Sequence, residues 1–315
     1  MTTDKRLAFV FPGQGSQAVG MVSALADKYS EVEEAFEQAS EILGYNLWKL
    51  VQNGPEQELN ITAKTQPALL VASVTIWNLW NRKSGPAPVI MAGHSLGEYS
   101  ALVCAGVLEF SDTIALVADR GRFMQEAVPE GTGSMAAILG MDNDQVKDIC
   151  RKAAQGQVVS AANFNSTGQV VIAGHGAAVK RAVELAKNAG ARRSIMLPVS
   201  VPSHCALMEP AARQFAERLK ETEFSAGRIP VIHNVDVCYK TGPEAIRRAL
   251  VDQLSSPVHW VETIEMMKKQ GITFIVECGP GKVLSGLIKR IDRTLQTYPI
   301  SDPESLEMAL SVLTG

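Results

Sequence analysis

Short apolar runs alternate along this chain with longer amphipathic stretches, and that alternation restricts the fold more than any other feature. LAFVF, PVIMAG, RIPVIHNV and ITFIVEC each occupy five to eight residues. Apolar runs this short read as strands buried on both faces. The amphipathic stretches between them, of 12 to 18 residues, have the length of crossover helices. The expected class is α/β, with a mostly parallel sheet covered by helices on both sides. Hydrophobic residues at 46% and charged residues at 20% supply a large core and leave no case for disorder.

One stretch breaks the rhythm. From Gly133 the pattern reads strand (SMAAILG), helix (142–155), strand (QVVSAAN), turn (Asn165 to Gly168), strand (QVVIAG), helix (177–189), strand (RRSIMLPVS). That is β-α-β-β-α-β, the ferredoxin-like order. The expected organisation is a discontinuous large domain, residues 1–130 and 199–315, with a small domain inserted over 131–198.

Several classes are excluded. A net charge of −3 on 315 residues lacks the basic excess of a nucleic-acid footprint. The longest apolar stretch, PALLVASVTIW, falls short of the ~18 residues of a membrane span. MTTDKRLAFVFPGQ is too weakly apolar for a signal-peptide core. The five cysteines, Cys104, Cys150, Cys205, Cys238 and Cys278, form no CxxC pair, which excludes a zinc ribbon and suits a reducing compartment. The expectation is a cytoplasmic protein. Cys205 follows a histidine, but a small buried filler fits it better than a thiol nucleophile.

The strongest chemical signal is Gly93-His94-Ser95-Leu96-Gly97. It follows an apolar run and opens a helix, Leu96 to about Ala105, that ends at Gly106. Strand, sharp turn and helix make a nucleophile elbow, with Ser95 projecting at the end of the strand. The alternative is an ordinary Gly-rich turn with a capping serine. A serine nucleophile needs a base, and five histidines compete. His233 lies in a strand run, His175 in a GHG turn and His259 in an unmarked loop, while His94 supports the elbow. His204, in VPSHCALMEP, lies past a strand and ahead of Pro210, which fits a first helical turn. His204 is the expected base. No Asp or Glu is uniquely placed to orient its ring, so an amide group is expected to do so.

Gly13-Gln14-Gly15-Ser16-Gln17-Ala18 matches a dinucleotide fingerprint, but SEVEEAFEQASEILG follows with helical periodicity where a second strand is required. A second oxyanion donor is the better use. The Leu96 amide, next to the nucleophile, supplies one such donor, and the Gln14 amide a second from the loop after another strand. SDTIALVADRGRFMQEAV reads as a helix with Ser111 at its N-cap. Three and four positions from Arg120 stand Leu116, Val117, Phe123 and Met124, so this arginine faces the core, whereas Arg122 faces water. A buried guanidinium calls for an anion. Two readings stay open, a fork for a substrate carboxylate or a structural ion pair with an Asp or Glu elsewhere.

FPGQGSQ, GHSLGEYSAL, Arg120 and VPSH, with NFNSTGQVVIAG, SSPVHW and ECGPGKVL, together resemble the malonyl-CoA:acyl carrier protein transacylases of bacterial fatty-acid synthesis. The likeness runs through essentially the whole chain. It implies an α/β-hydrolase-like large domain with a ferredoxin-like insert. It also implies Ser95 as acylated nucleophile, His204 as base, the Gln14 and Leu96 amides as oxyanion hole, and Arg120 as carboxylate binder. A Gln253 carbonyl would orient His204. The implied partners are malonyl-CoA and an acyl carrier protein bearing phosphopantetheine, with no metal or other cofactor and a monomeric enzyme. Carrier proteins are acidic, which makes Lys289, Arg290, Arg293, Arg192 and Arg193 docking candidates. The rival expectations are a serine thioesterase or esterase, a non-catalytic binding subunit, and a malonyl transferase of polyketide synthesis or malonate decarboxylation.

Overall fold

The run LAFVF forms β1 (Leu7–Phe11), buried at every residue. A computed structural model describes residues 6–129, 131–199 and 201–314. The strands that follow are β2 (Ile90–Gly93), β3 (Gly133–Leu139), β4 (Val159–Ser166), β5 (Gln169–His175), β6 (Arg193–Met196), β7 (Val231–Ile232), β8 (Phe274–Cys278) and β9 (Gln296–Ile300). Five of them make one sheet in the order β7-β2-β1-β8-β9, and every pairing in it is parallel.

Both faces of this sheet are covered, for a reason visible in β1. Leu7, Phe9 and Phe11 belong to one core, where Phe9 meets Trp77 and Trp80 edge-on at 5.1 and 5.2 Å from the long helix Thr62–Arg82. Ala8 and Val10 point the other way, into a second core with Ile90, Ala92, Ile264 and Met267. Alternate side chains of one strand thus nucleate two layers. β9, QTYPI, was not among the expected strands and contains a proline. It lies at the sheet edge, where a missing N–H is tolerated.

The second sheet is antiparallel, in the order β4-β5-β3-β6. With the helices Asn143–Ala154 and Gly176–Asn188 it completes the β-α-β-β-α-β order read from the sequence. One face packs on those helices. The other presents Met135, Ala137, Val171 and Ala173 toward Cys205. β4 is tied to the larger unit through Val258 of SSPVHW, where Phe164 N–H donates to Val258 O and Val258 N–H to Ala162 O, each at 2.9 Å.

Some boundaries differ from expectation. β6 ends at Met196, well short of the expected strand end at Ser200, which lies outside the described residues. Glu130 at the expected first junction and residues 1–5 also lie outside them. The helix Phe110–Glu126 starts one residue before Ser111 and has Glu109 at its N-cap, without a side-chain cap. No described helix is long and apolar enough to cross a membrane.

The elbow depends on two glycines. A Cβ on Gly93 would sit inside the backbone of Gly97, and one on Gly97 inside the Phe11 carbonyl. Gly97→Ala is therefore expected to lower stability by roughly 1–3 kcal/mol or more. Gly286→Ala, at an exposed position of the helix Val283–Ile291 with open space around it, should raise stability by about 0.5–1 kcal/mol. Urea unfolding of the two variants checks both signs.

Candidate active site

β1 and β2 run side by side, with Phe11 paired to Gly93, so the loops leaving their ends share one place. Gly13 lets them touch, because a Cβ there would strike the His94 carbonyl. The β2 loop turns sharply at Ser95, whose φ of 52° is left-handed and unfavourable for a non-glycine residue. Polar contacts hold that corner. Ser95 N–H donates to Asn234 Oδ1 at 2.7 Å, Asn234 Nδ2 donates to Gly93 O at 2.6 Å, and Gln253 Nε2 donates to Ser95 O at 3.1 Å. The helix Gly97–Cys104 then leads away.

Ser95 Oγ lies 2.8 Å from His204 Nε2. On the other side of the ring, His204 Nδ1 lies 2.8 Å from the Gln253 carbonyl oxygen. A carbonyl only accepts, so Nδ1 carries the proton and Nε2 turns its lone pair to the serine. His204 is 3% exposed. Burial, reinforced by the Arg120 charge, pushes its pKa down to about 3, and the imidazole is neutral at physiological pH. Its backbone is also left-handed, at φ 63°, and is pinned by His204 N–H on Leu254 O at 3.0 Å. The preceding strand, β6, belongs to the antiparallel sheet, so the base follows the last strand of that sheet. Pro210 stands in the first turn of the next helix, Glu209–Lys220.

Arg120 is 1% exposed and reaches the same point. Its Nη2 donates to Gln253 Oε1 at 2.8 Å and lies 3.4 Å from Ser95 Oγ, while Nη1 donates to Gln66 Oε1 at 2.8 Å. The guanidinium also lies over the Tyr99 ring at 5.3 Å. Among the described residues no Asp or Glu pairs with it. The structural ion pair is therefore not found among the described residues, and neutral amide oxygens orient the guanidinium.

Gln14 and Leu96 line the cleft with Ser95, Arg120 and His204, so all the site residues expected from the sequence meet except the Gln253 side chain, which lies beneath. The cleft measures about 480 Å³ and is closed on its far side by Met135, Asn163, Asn165 and Val171 of the antiparallel sheet. The His94 ring turns from the elbow to the antiparallel sheet, with Nε2 2.8 Å from Asn165 Oδ1. Cys205 is no nucleophile. Burial pushes its thiol up to about 11, and Sγ donates to Pro202 O. Gln66, Glu98, Asn165 and Asn234 were not singled out by the sequence reading. The one available signal was a glutamate, Glu98, in the otherwise weakly polar helix GEYSALVC.

A nucleophile with a neutral base and an arginine each within hydrogen-bond reach of its oxygen suits acyl transfer from an acid-bearing donor. The family model described as acyl transferase domain matches residues 8–305. The chain belongs to the acyl transferase family. Within that family it is 57% identical over 307 residues to the malonyl CoA-acyl carrier protein transacylase of Escherichia coli strain K12, covering 98% of this chain and 99% of the relative. Identity to the Bacillus subtilis protein of the same description is 45%, over 98% of this chain and 97% of the relative. Two solved structures are similar throughout. One is an acyl carrier protein S-malonyltransferase from Vibrio cholerae, at TM-score 0.94 and 57% identity, covering 96% of this chain and 99% of that one. The other is a malonyl-transacylase in complex with a type II polyketide-synthase acyl-carrier protein, at TM-score 0.97 and 56% identity, covering 98% and 99%.

Unperturbed histidine titrates near pH 6.5. Fluorophosphonate labelling of Ser95 is expected to hold its rate between about pH 7 and 5 and to fall only below that. An inflection near 6.5 would contradict a neutral buried base. Arg120→Ala should move the inflection upward, since the guanidinium is one cause of the depression. Because the folded-state pKa is depressed, stability contributed by His204 is present above about pH 6.5 and is lost as pH falls toward 3.

Proposed function

We propose that the chain transfers a malonyl group from malonyl-CoA to the phosphopantetheine thiol of an acyl carrier protein, by way of a malonyl-serine. Ser95 Oγ attacks the thioester carbonyl while His204 Nε2 takes its proton. Charge developing on the carbonyl oxygen is met by the Gln14 and Leu96 amide N–H groups, each a donor of the kind whose loss costs about 10²–10³ in rate. CoA leaves with the proton returned by His204. The carrier thiol then attacks the malonyl-serine, His204 again takes and returns the proton, and Ser95 is released. Each step uses groups of the chain or its substrates, and the proposal calls for no metal or further cofactor.

The observation that carries this reading is Arg120 beside Ser95 Oγ with no acidic partner among the described residues. At 3.4 Å from the nucleophile, the cation suits a carboxylate only a few bonds from the reacting carbonyl, as in malonyl. A serine esterase or thioesterase for neutral acyl groups gains nothing from burying that charge. The relatives' names point the same way. We place the reaction in the cytoplasm, with a monomeric enzyme supplying fatty-acid synthesis. Arg192, Arg193, Lys289, Arg290 and Arg293 are all exposed and remain the proposed carrier-docking residues. The complex with a polyketide carrier gives a second acceptor for the same chemistry.

Intact-protein mass spectrometry after mixing with malonyl-CoA is expected to show one malonyl adduct mapping to Ser95, absent in Ser95→Ala. Arg120→Ala should slow malonyl uptake by about 10²-fold or more while uptake of acetyl is retained or improved. An adduct on Ser95→Ala, or undiminished malonyl uptake by Arg120→Ala, would contradict the proposal.

A further inference from the structure

Beneath the nucleophile lies a charged side chain that touches no reacting atom yet bonds to the groups that hold them. Glu98, in the first turn of the elbow helix, is 0% exposed. Its Oε1 lies 2.7 Å from His233 Nδ1, and its Oε2 accepts from Asn234 N–H and from Gln253 Nε2, each at 2.9 Å. Asn234 in turn holds the Ser95 N–H, and the Gln253 main chain holds His204.

The Gln253 side chain is where Glu98 has most effect. A primary amide can present either end to a neighbour, and nothing in its shape selects one. A carboxylate accepts only, so it keeps Nε2 turned to itself, where that nitrogen also reaches Ser95 O at 3.1 Å. Oε1 is thereby turned to Arg120 Nη2. The reversed amide would set NH2 against the guanidinium and an oxygen against the carboxylate, two repulsive contacts in a buried site.

We propose that Glu98 is a positioning residue for acyl selectivity: by fixing the Gln253 amide it keeps Arg120 aimed at the acyl group on Ser95. The inference rests on the malonyl-serine reading above. It assigns the effect to hydrogen-bond direction rather than to the Glu98 charge. Glu98→Gln separates the two. Its oxygen replaces Oε2 for Asn234 and Gln253, and its NH2 meets His233 Nδ1, which accepts when the ring carries its proton on Nε2 alone.

The test compares rates of Ser95 acylation from malonyl-CoA and from acetyl-CoA, read by intact-protein mass spectrometry. Glu98→Leu is expected to reduce the malonyl-to-acetyl ratio by about tenfold or more. Glu98→Gln should keep the ratio within about threefold of the parent, whatever its absolute rate. Gln253→Met removes the side-chain amide but keeps the carbonyl on His204, and should reproduce the drop even where Glu98→Leu fails to fold. A purely structural Glu98 would slow both donors in proportion. An unchanged ratio in folded Glu98→Leu or in Gln253→Met, or a collapse in Glu98→Gln equal to that in Glu98→Leu, would overturn the proposal. The parent enzyme is the control: were it not malonylated at Ser95, the reading of the function would fall instead.

Discussion

The guanidinium of Arg120 sits in the protein interior with amide oxygens, and no carboxylate, on its two terminal nitrogens. Neutral acceptors meet only its two terminal nitrogens, Nε has no partner among the described residues, and no carboxylate pairs with it, so part of the cost of burying the ion stays unrecovered until an anion arrives. Much of the site follows from that imbalance. The same charge helps keep His204 neutral, which a base must be before it can take the serine proton. A substrate lacking a carboxylate would leave the cation desolvated and uncompensated, so recognition and chemistry draw on one interaction.

Strain is the second constraint. Ser95 and His204 both have left-handed backbones, and each conformation is held by hydrogen bonds from distant parts of the chain. Asn234 and Gln253 grip the serine, while the Leu254 carbonyl grips the histidine backbone. The glycines of the elbow permit the close approach of β1, β2 and the helix after them, and that approach brings the Gln14 loop alongside the nucleophile. The antiparallel sheet adds the opposite wall and, through Asn165, fixes His94. The cleft is thus a product of both sheets, joined through β4 and Val258.

The alternation of apolar runs and amphipathic stretches made the α/β class and the inserted β-α-β-β-α-β order legible, because both are written in local periodicity. Ser95 was legible from its glycines, and Arg120 from the apolar residues one helical turn to either side. What surrounds Arg120 was not. Gln66 and Gln253 lie 54 and 133 residues from it, and an uncharged partner leaves no mark that separates it from any other glutamine. The same holds for Asn234, 139 residues from the backbone it caps. The resemblance supplied the Gln253 carbonyl, which no residue pattern could have indicated, since any residue has one. β9 is short and only Ile300 in it is buried, which leaves little apolar signal, and the Ser111 cap failed because the helix begins at Phe110.

Replacing the malonyl carboxylate by its methyl ester changes the charge of the donor while nearly preserving its shape, so it isolates the interaction on which the account rests. Stopped-flow measurement of the first burst of CoA release, with malonyl-CoA and with its methyl ester on the unaltered enzyme, gives the comparison. The account predicts a burst at least about 10²-fold slower with the ester. Equal burst rates for the two donors would contradict it.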